Sequence, residues 1–200
     1  MKDLKGLLLN ELAEIYDAEK QLTKALPQMV EAANSPELQS ALDNHLDQTR
    51  EHVARLESVF DAFETKPKGK RSIAMVGLIA EAVEWARMEA DAPVADAALI
   101  LAIQKIEHYE IASYGGLRTW ADLLGQDEAV VLLDQTTDEE KDTDALLNEI
   151  AGRINVEAAE RGDEYEIPLA QFNRAKSRQV SPVEKSSGRS KRQTVAKSRR

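Results

Sequence analysis

The stretch IEHYEIASYGG (Ile106–Gly116) decides how this chain folds. Its spacing is that of a helix packing against other helices, yet Glu107 and Glu110 stand where the apolar stripe should run. A buried carboxylate without a partner costs several kcal/mol even after the surroundings relax. Two of them, three residues apart, need a reason that the rest of the sequence must supply.

The composition around that stretch favours helices. Hydrophobic residues make up 42% of the 200, enough for a core, while aromatics are only 4%; Ala, Leu, Glu and Asp abound. That balance suits an all-helical protein of one domain, with a tail. There is no cysteine, so disulfides and thiolate metal sites are excluded. The N-terminal MKDLKGLLLNELAEIYDAEK has only three consecutive leucines before acids resume, unlike a signal peptide. No run approaches the ~20 apolar residues that span a bilayer. A cytoplasmic protein with no membrane partner is the expectation. The net charge of −10 conceals two parts: ten Lys/Arg against the single acid Glu184 from Arg174 onward, and 16 basic against 35 acidic residues before it. The body is therefore near −19 and the tail near +9.

Five helical segments are predicted. The first covers about Leu4–Ala33, with Pro27 expected to kink or break it. Ser35-Pro36-Glu37 is an N-cap, a first-position proline and a first-turn acid, opening a second helix to about Glu64. TKPKGKRS (Thr65–Ser72) is a basic loop. A short helix over about Ile73–Glu89 follows, and Asp91-Ala92-Pro93 restarts the chain. The fourth helix runs to Leu124, with Gly125 as its C′ residue. The fifth spans Asp127 to Arg161–Gly162. Two helical hairpins joined by a long crossover that carries a short helix describe a ferritin-like four-helix bundle over residues 1–162. Residues 163–200 form a C-terminal extension. Its DEYEIPLAQF segment (Asp163–Phe172) is expected to pack back through Ile167, Leu169 and Phe172, and the basic part from Arg174 to be disordered.

Each long helix carries a seam at alternating spacings of three and four. The seams read Leu8, Leu12, Ile15, Glu19, Leu22, Leu26, Met29 in the first helix and Leu38, Leu42, His45, Thr49, His52, Leu56, Val59, Phe63 in the second. The fourth gives Ile100, Ile103, Glu107, Glu110, Tyr114, Leu117, Ala121, Leu124, and the fifth Val130, Leu133, Thr137, Glu140, Asp144, Leu147, Ala151, Ile154. All are apolar at the ends and polar in the middle. With the first turn at Asn34-Ser35, Glu19 lies level with Gln48 and His52, and His45 about one turn further. With the second turn near Gln126, Glu107 and Glu110 lie level with Asp144 and Glu140. His108 falls off the seam as a flanking residue; Tyr109 and Tyr114 are read as packing residues, Tyr114 with a hydroxyl that could also donate to a carboxylate.

Carboxylates crowded at one depth raise each other's pKa, and burial adds to that. Two divalent cations would remove the difficulty. Oxygen and imidazole ligands without sulfur suit iron or manganese, and inward Glu and His from four helices are the setting of dinuclear carboxylate sites. A single seam glutamate would more often be an ion pair, and a single histidine a hydrogen-bonded interior residue; the coincidence on four helices favours metal.

AEKQL (Ala18–Leu22), HLDQT (His45–Thr49), EHYEIASYG (Glu107–Gly115) and DEEKDTD (Asp138–Asp144) resemble the YciE/YciF-like family of bacterial ferritin-like stress proteins, in the right order over about Leu4–Glu160. The resemblance implies a ferritin-like bundle, often dimeric, induced in general or osmotic stress, with a di-metal centre and no established activity. It carries the acidic site onto Glu19, Glu107, Glu110, Glu140 and Asp144, with His45 beside them. Relatives commonly read HLEET where this chain has HLDQT, so Gln48 replaces an expected Glu; His52, one turn on, is the residue that would compensate.

The expected metal ligands are therefore Glu19, His45, His52, Glu107, Glu110, Glu140 and Asp144, holding Fe or Mn for sequestration or for reaction with O2 or peroxide. The competing expectation is a non-enzymatic homodimeric stress or structural protein. In either case the basic tail suits non-specific nucleic-acid contact by counterion release.

Overall fold

The computed structural model describes residues 2–161. The expectations for Asp163–Phe172 and for the basic tail lie outside the described residues. The described chain forms five α-helices: α1 (Leu4–Ala32), α2 (Pro36–Ala62), α3 (Ile73–Ala86), α4 (Ala92–Leu123) and α5 (Asp127–Arg161).

Local signals set most boundaries. Asp3 caps α1, its Oδ1 accepting from the Gly6 N–H at 2.7 Å, and Ser35 caps α2 through the Leu38 N–H. Pro27 does not break α1, which continues as one helix. Leu26 and Met29 beside it are fully buried, so packing holds the backbone helical despite the lost N–H. The α4–α5 turn is a Schellman closure: the Gly125 N–H reaches the Asp122 carbonyl, the Gln126 N–H reaches Ala121, and Gly125 has φ +69°. The same closure ends α2, where Glu64 occupies the left-handed position at φ 54°. α3 is three residues shorter than predicted. Arg87 caps it, and its N–H bonds back to the Glu84 carbonyl, tightening the last turn.

The arrangement is hairpin, crossover, hairpin. α1 packs on α2 and α4 on α5; across the bundle α1 faces α4 and α2 faces α5, and α3 lies along α1 and α4. The crossover loop runs up α1, with the Lys70 N–H on the Ala13 carbonyl (2.8 Å) and the Ser72 N–H on Asp17 Oδ2 (2.9 Å). The buried Asp96 carboxylate then fastens the start of α4 to the α1–α2 turn. It accepts from the Asn34 and Ser35 backbone N–H groups, both at 2.8 Å, and from the Asn34 side chain at 3.1 Å. This return makes α4 antiparallel to α1, which puts Glu107 and Glu110 back at the level of Glu19.

The seams predicted for α1 and α2 are buried throughout. α5 departs from its predicted seam. Its inward side runs through Ala129, Leu133, Thr136 and Thr137, Glu140, Thr143, Leu147, Ile150 and Ile154, where Val130, Asp144 and Ala151 were expected in three positions. One residue is about 100° of helix rotation. α5 is contacted by both α4 and α2, and the turn that leaves Thr143 inside buries a small residue and lets Asp144 reach solvent.

Candidate metal centre

Six side chains from four helices converge at mid-bundle: Glu19 (α1), His45 and His52 (α2), Glu107 and Glu110 (α4), and Glu140 (α5). All are at most 1% exposed. Each takes a seam position whose line continues into buried apolar residues, Ile15 and Leu22 around Glu19, Ile103 and Ile106 before Glu107, and Leu133 and Leu147 two turns either side of Glu140. Helical periodicity thus forces the carboxylates inward together with the leucines and isoleucines.

Their atoms form two groups with a shared member. Ligand atoms of His45, Glu107, Glu110 and Glu140 lie within 4.8 Å of one another, and so do those of Glu19, His52 and Glu140. His45 Nε2 is 3.2 Å from Glu107 Oε1. His52 Nδ1 is 3.0 Å from Glu140 Oε1 and 3.6 Å from Glu19 Oε1. These contacts lack hydrogen-bond alignment. Both oxygens of Glu107, Glu110 and Glu140, one of Glu19, and the inward nitrogens of both histidines have no hydrogen-bond partner. Glu19 keeps one bond, from the Tyr114 hydroxyl.

Burial dominates the electrostatics. It pushes Glu107 up to about 8, reinforced by Glu19, and pushes Glu110 well above the ordinary carboxylate range, reinforced by Glu19, Glu140 and Glu107. Burial likewise raises Glu19 and Glu140, against the opposing pull of His52. His45 is lowered by burial. For His52 burial also works against the charge, but the closeness of Glu140 and Glu19 outweighs it and lifts the imidazole to about 10. Without a cation, Glu107 and Glu110 hold their protons well above the ordinary carboxylate range. A donor set of buried carboxylate oxygens and imidazole nitrogens without hydrogen-bond partners fits divalent metal.

Of the seven residues predicted as ligands, these six come together and Asp144 does not. It is 17% exposed at the edge between α4 and α5, where Gln104 donates to Oδ1 at 2.9 Å and His108 Nε2 lies 3.6 Å away. Its charge still acts on Glu107. Gln48 sits beside His45, where its side chain acts on the imidazole, and its Oε1 accepts from Thr143 at 3.4 Å. Residues not singled out from sequence surround the histidines. Thr143 Oγ1 lies 3.5 Å from His45 Nδ1. Glu139 Oε2 lies 2.9 Å from His52 Nε2, and Arg55 binds both Glu139 oxygens at 2.8 and 3.1 Å. The available signal for that group was His52-x-x-Arg55, which sets a cation one turn from a seam histidine.

Residues 3–160 match the family described as a domain of unknown function, DUF892. Protein YciF of Escherichia coli (strain K12) is 42% identical over 152 residues, 76% of this chain and 92% of that protein. The crystal structure of the E. coli stress protein YciF matches with a TM-score of 0.75 at 41% identity, over 77% of this chain and 98% of the other. The structure of YcfI from Rhodopseudomonas palustris matches with a TM-score of 0.72 at 44% identity, over 74% and 94%. The chain belongs to the DUF892 family and is a YciF-like protein.

Proposed function

We propose that this DUF892 chain is a stress-response protein whose bundle holds two Fe or Mn ions on Glu19, His45, His52, Glu107, Glu110 and Glu140. The observation that carries the reading is the set of buried, unpartnered oxygens and inward imidazole nitrogens divided into two groups that share Glu140. His45, Glu107 and Glu110 would hold one ion, Glu19 and His52 the other, and Glu140 would serve both. Such a pair of ions, when bound, either stores metal or reacts with O2 or peroxide. The chain's own part is to bury the ligands within the apolar core and to orient them. Tyr114 fixes one Glu19 oxygen and leaves the other free.

The test is metal analysis of protein purified without chelators and then loaded anaerobically with Fe(II) or Mn(II). About two ions per chain are expected, and a Glu107→Ala/Glu110→Ala variant should retain at most one. Sub-stoichiometric metal in both preparations sinks the reading.

A second reading, a non-enzymatic homodimeric structural protein, draws on the exposed apolar residues Ile73, Leu101, Leu123 and Val131 that a partner copy would cover. Light scattering that returns a monomer argues against it. Residues from Arg174 onward, ten basic against one acidic, suit nucleic-acid contact in either case. Equal gel mobility shifts of DNA by the full chain and by a chain ending at Asn173, at two salt concentrations, would dismiss that role. On both readings the protein works in the cytoplasm. No described helix is long and apolar enough to cross a membrane.

A further inference from the structure

We propose that Glu139, clamped by Arg55, is a positioning residue that locks the His52 ring with Nδ1 facing Glu19 and Glu140. The consequence for metal rests on the dinuclear reading; the ring orientation does not. His52 is fully buried with its two nitrogens on opposite sides of the site. Nε2 meets Glu139 Oε2 at 2.9 Å, and Nδ1 faces Glu140 Oε1 at 3.0 Å and Glu19 Oε1 at 3.6 Å. Turning the ring over would bring carbon against all three carboxylates, so the outer bond fixes what the inner nitrogen can do.

Glu139 is itself immobilised. Arg55 Nη1 donates to Oε2 at 2.8 Å, Arg55 Nη2 to Oε1 at 3.1 Å, and Gln135 Nε2 to Oε1 at 2.9 Å. Arg55 is anchored in turn on Thr136 Oγ1 at 2.7 Å. A carboxylate that accepts the outer N–H of an imidazole fixes its tautomer and makes the inner nitrogen a better donor. His45 has no comparable support. Its outer Nδ1 lies 3.5 Å from Thr143 Oγ1, a hydroxyl that also bonds Gln48 and the Glu139 carbonyl, and the neutral Gln48 side chain acts on the imidazole where His52 has a clamped carboxylate. The two histidines are therefore braced unequally, and the Glu19–His52 side is the one that Glu139 preorganises.

The test uses the full chain stripped of metal, with two readouts. Calorimetric titration with Mn(II) measures each ion's affinity. NMR of histidine labelled with nitrogen-15 follows exchange of the His52 Nε2–H proton in metal-free protein. The unmodified protein should take up two ions and show a slowly exchanging Nε2–H. Glu139→Ala should weaken one of the two ions by roughly 10- to 100-fold, leave the other unchanged and expose the proton. Glu139→Gln, which keeps an acceptor oxygen, should restore the protected proton and most of the affinity. Unchanged affinities and protection in Glu139→Ala overturn the proposal, as does a Gln variant no better than Ala. If Glu139→Ala does not fold, Arg55→Met is read by the same criteria. If the unmodified protein takes up no ion, the dinuclear reading falls and the Nε2–H exchange alone decides the positioning role.

Discussion

Glu110 has no hydrogen-bond partner and no cation beside it; its nearest charges are other carboxylates. Its conformation is maintained by the helix and not by any attraction at the carboxyl. In metal-free protein, Glu110→Leu should raise stability by about 1–3 kcal/mol, because replacing an unpartnered buried carboxyl with an apolar group of similar volume removes its desolvation cost. The proposed metal centre predicts a rise in melting temperature on adding Mn(II) to the unmodified protein and none in this variant, which thermal unfolding with and without the ion measures. The raised carboxyls also fix the sign of the pH dependence. Glu19, Glu107, Glu110 and Glu140 keep protons in the folded chain to higher pH than in the unfolded one. Folded protein binds more protons, so stability falls as pH rises from the ordinary 4.5 towards the about 8 of Glu107. His52 acts in the same sense: its contribution is complete below 6.5 and lost as pH climbs to about 10. His45 opposes them, its lowered value disfavouring the fold below 6.5. Calorimetry of metal-free protein should show the melting temperature declining from pH 5 to pH 8, with a smaller slope in Glu107→Gln/Glu110→Gln. A flat or rising profile contradicts this assignment.

Among the elements, the turns hold the tunable energies. α2 ends with Glu64 in the left-handed region, a conformation that costs a residue with a Cβ about 1–2 kcal/mol and glycine nearly nothing. Glu64→Gly should stabilise the protein by about 0.5–1 kcal/mol in chemical denaturation, the relief of strain exceeding the added freedom of the unfolded chain. The turn after α4 already has Gly125 in the equivalent place, and Gly125→Ala should cost about 1 kcal/mol for the mirror-image reason. Asp96 works at a longer range. One buried carboxylate satisfies three donors from the α1–α2 turn, so it joins the second hairpin to the first. Asp96→Ala leaves those donors unpaired and should cost about 3 kcal/mol, lowering the denaturant midpoint while leaving the spacing of the buried glutamates on α4 and α5 unaffected.

At the scale of the molecule, the layout of four helices converts isolated seam acids into one site. Antiparallel pairing of α1 with α4 and of α2 with α5 brings Glu19 to Tyr114 and His52 to Glu139 and Glu140. Ion binding to this folded arrangement alone should stabilise it by mass action, about 2.7 kcal/mol at a free-ion concentration a hundred times the dissociation constant. The predicted division of the chain gives a further expectation. A chain ending at Gly162 should keep the melting temperature and the metal stoichiometry of the full protein, because every residue of the centre precedes α5's end. Loss of either would place part of the bundle's stability in residues 163–200.

Periodicity was enough to read the fold and the identity of the acids. Seams of apolar residues in threes and fours, Ser35-Pro36-Glu37 and Gly125 are local in sequence, and each helix can be traced without knowing its neighbours. Glu19, His45, His52, Glu107, Glu110 and Glu140 follow from that periodicity because they occupy positions where leucine would otherwise be. Asp144 against Thr143 was beyond it. A helix alone tolerates either residue on its inward side, and only the simultaneous packing of α5 on α4 and on α2 settles its rotation. The brace of His52 was equally out of reach, since Arg55 and Glu139 lie 84 positions apart and meet only because two helices from different hairpins run side by side.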